Sequence, residues 1–156
     1  MGPKPPFDKS HRQGPPTPSG LPPDYLARGY FDKDGCIFLP LVTDVARKVS
    51  ESLGQGGVTS TQLRRFYNKA KATEQRLDAG ENFACLKAEI LELEQHAANA
   101  AGKARDRREQ AGLELFKQFI DKNTELAVRD EKSFRKGFLL HFQGVVAFFK
   151  YLYPKK

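Results

Sequence analysis

Gly57-Val58-Thr59-Ser60-Thr61-Gln62-Leu63-Arg64-Arg65-Phe66-Tyr67-Asn68-Lys69 specifies a helix start and then a row of cations. Thr59 with Gln62 three residues on makes a capping box, and Val58 with Leu63 makes a hydrophobic staple. Together they fix where the helix begins and which way it points. Leu63, Phe66, Tyr67, Ala70 and Leu77 then share one face at a 3.6-residue period. Arg65, Lys69 and Arg76 share the opposite face, with Arg64 and Lys71 at its flank. The helix is built to hold cations in line over a packed core.

The bulk composition agrees with that picture. A chain of 156 residues is long enough for one domain with a real core. A formal charge of +7 and a pI near 9.5 point to a polyanionic partner, nucleic acid before an anionic membrane surface. Cys36 and Cys85 each stand beside apolar residues and are expected as small buried hydrophobes. Two such cysteines make no disulfide framework, so a reducing cytoplasm is the expected location. The proline-rich start has no apolar run of the signal-peptide kind. No stretch approaches the ~20 charge-free apolar residues of a spanning helix.

Outward from the capped helix, the chain divides in two. Residues 1–29 read as a disordered tail, because eight of the ten prolines fall there and little in it can be buried. Residues 30–156 read as a helical domain. Tyr30-Phe31 is an aromatic anchor, followed by an Asp34-Gly35 turn. A first helix is expected from about Pro40, with Val42, Val45, Ala46, Val49 and Leu53 buried, ending at Gly54, Gly56 and Gly57. The capped helix runs from Thr59 to about Leu77. A third is expected from about Glu81 to Arg107, its second half small and then basic through Ala97-Ala98-Asn99-Ala100-Ala101-Gly102-Lys103-Ala104-Arg105. Those small residues would let another backbone or a ligand come close. A fourth covers about Glu109 to Val128. Asp130 caps a last, aromatic helix that ends near Tyr153. With no sustained strand alternation, the fold class is all-α: a single bundle of about five helices with short connections.

Each candidate site has a plainer alternative. Arg65, Lys69 and Arg76 lie roughly 6 to 17 Å apart along the helix axis. Arginine forks grip phosphate at two points, and such contacts position a nucleic acid without reading it. The alternative is a solvated helix face. Lys103, Arg105, Arg107 and Arg108 form a second basic cluster, which the negative pole of the preceding helix would favour in any case. His96 falls on a polar face. His141, between Gly137 and Gly144, reads as a packed, hydrogen-bonded residue. No Cys/His cluster has metal-ligand spacing, no Gly-rich phosphate loop precedes a helix, and no nucleophile–base–acid set assembles. The chain reads as non-enzymatic, with no cofactor and no metal. The last helix carries more apolar surface than one buried stripe needs. That suits a central core helix, or alternatively a face that docks another protein.

Taken in order, four stretches resemble a known family: Tyr30-Phe31-Asp32 with Asp34-Gly35; Val58 to Tyr67; the small-then-basic run Ala97 to Arg105; and the aromatic end Val145 to Leu152. They are similar to the small α-helical subunit of type III-A (Csm) CRISPR effector complexes, from about residue 30 to 153. The resemblance implies a non-catalytic antiviral subunit whose copies stack as an inner filament. That filament would lie beside the backbone subunits that hold the guide RNA. It would line the channel where guide RNA and target RNA pair, touching phosphates, while catalysis belongs to the backbone and large polymerase-like subunits. Sequence recognition would come from base pairing.

Carried onto this chain, the resemblance marks Arg64, Arg65 and Lys69 for phosphate contacts, then Lys103 and Arg105, and Lys150 in the closing motif. Arg76, Arg107 and Arg108 rest on charge alone. Two other functions fit the residues. One is a helical protein-interaction adaptor whose cations serve only solubility. The other is a stand-alone DNA-binding regulator, which the scarcity of short polar side chains on the Thr59–Arg76 helix counts against.

Overall fold

Thr59 does cap the helix that it heads. Its hydroxyl accepts from the Gln62 N–H at 3.1 Å, and the Gln62 side-chain oxygen accepts from the Thr59 N–H at 2.9 Å. Val58 and Leu63 are both buried beside this cap. The structure, a computed structural model, describes residues 20–155. Five α-helices form among them: α1 (Asp44–Gln55), α2 (Ser60–Asp78), α3 (Phe83–Gly102), α4 (Arg107–Ala127) and α5 (Leu139–Leu152). A 3-10 turn at Leu39–Val42 leads into α1, and a π-helical segment at Ser133–Phe138 runs straight into α5. The class is all-α, as expected; among the described residues one isolated β-bridge joins Phe31 to Ile37.

Three boundaries differ from expectation. The helix placed at Pro40 opens as the 3-10 turn, and α1 begins only at Asp44, past the non-helical backbone of Thr43. The third helix is shorter at both ends than Glu81–Arg107. Asn82 caps its start by accepting from the Ala84 N–H. At its far end Asp106 takes extended backbone (φ −151°) and accepts from the Glu109 N–H at 2.9 Å, so the chain turns and α4 starts early. The last helix does begin under Asp130, which accepts from the Ser133 N–H at 2.7 Å, but it opens with the wider π turn.

Phenylalanine builds the core. Phe116, Phe119, Phe134, Phe138, Phe142 and Phe149 are all buried. Phe66 meets Phe116 edge-on at 4.7 Å between ring centres, and Phe119 meets Phe142 edge-on at 5.3 Å, the geometry that aromatic quadrupoles favour. The last helix is therefore the central core helix, with Tyr151 left 76 % exposed at its end. Gly112 lets α4 approach the end of α1: a Cβ placed there would lie 1.8 Å from the Gly56 carbonyl oxygen. Gly137 and Gly144, expected on one face, do different work. A Cβ at Gly137 would lie 2.3 Å from the Tyr30 ring, whereas Gly144 packs against Ala46 and Val42.

The expected tail runs to residue 29, and its first nineteen residues lie outside the described part. From Gly20 onward the chain packs on the bundle, because a buried polar chain holds it there. The Tyr30 hydroxyl donates to the Asn123 side-chain oxygen at 2.7 Å. The Asn123 amide donates to the Tyr25 hydroxyl at 3.0 Å and to the Phe119 carbonyl at 2.8 Å. Tyr25 in turn meets His141 Nε2 at 2.6 Å, and His141 Nδ1 meets the Leu41 carbonyl at 2.5 Å. A carbonyl only accepts, so Nδ1 carries the proton and Nε2 accepts from Tyr25. His141 is thus the packed, hydrogen-bonded residue that its sequence setting suggested. The two cysteines correct their expectation: both Cys36 and Cys85 are exposed, one in the Asp32–Cys36 turn and one on the outer side of α3.

Two outcomes follow from this packing. Gly112→Ala forces backbone apart from backbone and should lower stability by about 2 kcal/mol or more, read as a fall in urea midpoint at unchanged slope. Burial holds the His141 imidazole down to a pKa of about 4 against 6.5 in the free residue. The unfolded chain then takes up that proton first. Stability is full above about pH 6.5 and should fall by roughly 3 kcal/mol as pH drops to about 4. Unfolding curves across that window measure the loss, which sets in above the range where carboxylates titrate.

Candidate nucleic-acid interface

The period of α2 separates its faces cleanly. Leu63, Phe66, Ala70, Thr73 and Leu77 are buried, while Arg64, Arg65, Lys69 and Arg76 are exposed. On α3, Leu86, Ile90, Leu93, Ala97 and Ala101 point inward. Between the outer edges of the two helices lies a groove of ≈ 290 Å³. Arg65 and Lys69 line it from α2, and Lys103 lines it from the end of α3. Side chains from the two separate basic stretches therefore meet in one concavity. Phe66, Ala100 and Leu113 also line it. The Phe66 ring stands edge-on to His96 at 6.5 Å, so the imidazole is seated against it.

Charge within this groove is unbalanced. Arg65, Lys69 and Lys103 form no ion pair with any described residue. The carboxylate beside them, Glu109, is already engaged: it accepts from the Arg105 backbone N–H at 2.6 Å and lies 3.4 Å from the Arg105 guanidinium. Those hydrogen bonds hold the Glu109 carboxyl below its ordinary range. A neighbouring hollow of ≈ 210 Å³ shares Lys69 and His96 but is lined by Glu89 and Glu92. The α2–α3 surface thus changes sign along its length, basic toward Lys103 and acidic toward Glu89.

The other predicted cations fall elsewhere. The charge pattern put Arg76 in one row with Arg65 and Lys69, but in the fold its guanidinium is occupied. It donates to Glu81 at 2.7 and 2.8 Å, and also to Glu89, and these bonds raise its pKa while lowering that of Glu81. Arg76 clasps the end of α2 to the start of α3. Arg64 is exposed but lies outside the groove lining. Arg105 stands at the rim with its side chain 88 % exposed. Arg107 and Arg108 are exposed in the first turn of α4. Lys150, on the last turn of α5, donates to the Pro154 carbonyl at 3.2 Å and does not line the groove.

Sequence reading missed Gln62, His96 and Asn99, all groove-lining. A signal for them exists. Residues 62, 65, 66 and 69 repeat the spacing of 96, 99, 100 and 103, the i, i+3, i+4, i+7 pattern of a single helix edge. Two such edges facing each other make a groove. The small residues divide their work as well: Ala97 and Ala101 are buried, and Ala100 leaves the groove open. Among the described residues no group of three or more His, Cys, Asp or Glu side chains is placed to hold a metal, and no helix is long and apolar enough to cross a membrane.

Comparison with known proteins places this architecture. No curated protein and no solved structure matches the chain. A family model, Csm2 Type III-A, matches residues 39–155, from the 3-10 turn through the end of α5 and including both basic stretches. Tyr30 to Gly35, where the sequence resemblance opened, lies just before the matched part. A match over most of the 156 residues shows that the chain belongs to the Csm2 type III-A family, the small subunits of type III-A CRISPR complexes.

Proposed function

We propose that this subunit lies against the paired guide RNA and target RNA through the α2–α3 groove, touching phosphates and leaving the bases to one another. The observation that carries the reading is the meeting of Arg65, Lys69 and Lys103, from two separate stretches of sequence, in one groove with no carboxylate of the described residues paired to them. Unpaired cations at fixed spacing bind a phosphate backbone by charge and release of counterions. Phosphate contacts of this kind set register without reading sequence. Arg64 and Arg105, at the margins, extend the same field, and Lys150 joins it only in the context of neighbouring subunits. The subunit is non-catalytic and needs no cofactor. Its copies stack as an inner filament beside the backbone and large polymerase-like subunits of a cytoplasmic antiviral complex.

Reversing Arg65, Lys69 and Lys103 to Glu should weaken capture of target RNA by the assembled complex. It should also flatten the plot of log K against log[salt] by roughly 0.7 to 0.9 for each lost phosphate contact. The melting temperature should hold, because all three side chains are exposed. Normal capture by a normally assembled variant complex would overturn the reading. Arg76→Gln should behave in the opposite way: the salt slope stays as it was, and the melting temperature drops as the α2–α3 clasp opens.

A further inference from the structure

Residues 20–29 form an irregular arm between the C-terminal half of α4 and the start of α1. Its own hydrogen bonds are three successive turns, closed by the N–H groups of Tyr25, Ala27 and Gly29. A hollow of ≈ 810 Å³ separates part of the arm from Lys122 and Leu126 of α4. Another, of ≈ 500 Å³, separates it from Leu41 and Val45. Asp24 and Leu26 hold positive φ, 56° and 59°, a region that a bulky side chain such as leucine rarely enters. The arm is therefore strained along its backbone and thinly packed on both flanks. Tyr25, 7 % exposed, is its deep anchor, and at the far end the Ser52 hydroxyl donates to the Gly20 carbonyl at 2.7 Å. Gly29, at φ 77°, supplies a pivot, and beyond it Tyr30 is seated against Gly137.

The hydrogen bonds of that anchor run in one direction, because a backbone carbonyl fixes each end. The Phe119 carbonyl takes an Asn123 amide N–H, so the same nitrogen faces Tyr25 and donates to its hydroxyl oxygen. The Leu41 carbonyl takes the His141 Nδ1–H, so Nε2 is bare and accepts the Tyr25 proton. A proton arriving from water on Nε2 sets two donors face to face across 2.6 Å. The Tyr25 oxygen can turn to accept it, but the phenol hydrogen then has no acceptor among the described residues. The ring is faced by the Tyr25 hydroxyl from the arm, the Leu41 carbonyl and the Phe119 ring from α4. One turn away on its own helix stand Gly137, Phe138, Gly144 and Val145. None of these is charged, and burial pushes the Tyr25 phenol up, so it keeps its proton. Asp24 and Glu125 stand around the larger hollow, with Arg28, Lys122 and Arg129. We propose that the Tyr25–His141 contact is a proton-operated latch: a proton on His141 Nε2 frees residues 20–29 as one unit, pivoting at Gly29, while the helices stay folded. Water entering the vacated trough then serves Asn123 and the imidazolium. The family match begins at Leu39, so release leaves the matched domain whole.

The test is hydrogen exchange on the full chain, followed amide by amide by NMR across a pH series and corrected for intrinsic rates. With the arm closed the imidazole is held down to about 4, and with the arm open it returns to 6.5. Opening therefore takes up a proton. Its equilibrium constant should rise about twentyfold from pH 7 to pH 5, above the range where carboxylates titrate. Ala27 and Gly29 should lose protection by that factor. Global unfolding takes up the same proton, so Phe142 and Val145 in the core should lose the same factor, but from protection about tenfold higher or more. Low urea should lower protection in α5 and leave the arm nearly unchanged, because releasing the arm exposes little surface. His141→Gln keeps an acceptor for Tyr25 and has no proton to gain, so its arm protection should stay level across the series. Equal protection in arm and core would overturn the proposal, since the arm then opens only when the whole chain unfolds. Arm protection that stays level in the unsubstituted chain would overturn it as well. So would a His141→Gln chain that keeps the pH response, which would pass the effect to Asp24 and Glu125. Should that variant fail to fold, the ring nitrogen shifts of the unsubstituted chain decide: a neutral His141 with its proton on Nε2 rather than Nδ1 rules the latch out.

Discussion

The burial of Phe66 is the constraint on which the rest of this surface depends. Its ring is 4 % exposed and lies edge-on against Phe116 of α4, and the helix has no other large aromatic so deeply placed. Seating that ring fixes the rotation of α2 about its own axis. Once the rotation is fixed, the side chains one position before and three positions after Phe66 must leave the core, and these are Arg65 and Lys69. Filling the core and presenting the cations are one event. The capping box adds the other coordinate, since a helix that starts at a defined residue has no freedom to slide along its axis.

Much of this was legible in the residues. The cap at Thr59, the glycine stop after Gln55 and the inward stripes of α2, α3 and α4 all carry local signals, and local signals are read without knowing the fold. The groove was half legible. Arg65, Lys69 and Lys103 stood out as cations, but their convergence depends on how α3 crosses α2, which no single helix states. Arg76 shows the converse. Its charge matched the row, yet Glu81 and Glu89 claim it from across a turn, and the period of one helix gives no view of a partner thirteen residues away. The short third helix arose likewise, from two competing caps. The sequence reading carried this helix on through Gly102 to Arg107, whereas in the fold Asp106 serves as the cap of α4.

The N-terminal segment was the least legible part, for a different reason. Prolines at positions 22 and 23 argue against regular structure, and the segment has none. Order there comes from side chains whose partners lie about a hundred residues away, at Asn123 and His141. Such a network is fully satisfied: every donor and acceptor from Tyr30 to Leu41 finds one partner or more. In a low-dielectric interior a complete chain of this kind holds its members firmly, while one missing link leaves a costly orphan. That is why a segment without helix or strand can still be shaped closely enough to hold Asp24 and Leu26 in their unusual backbone region.

The π-helical segment at Ser133–Phe138 sets a phase boundary inside the last helix. An α-helix turns about 100° per residue, and the wider π turn fits one residue more into the same advance. Residues upstream and downstream are therefore kept in different rotational frames. Gly137 can seat the Tyr30 ring while Gly144 seats α1, although seven residues of unbroken α-helix would aim both the same way. Removing a single residue from this segment would restore one frame throughout. It would swing one glycine away from its neighbour by roughly a quarter turn, taking the seat from either the Tyr30 ring or α1.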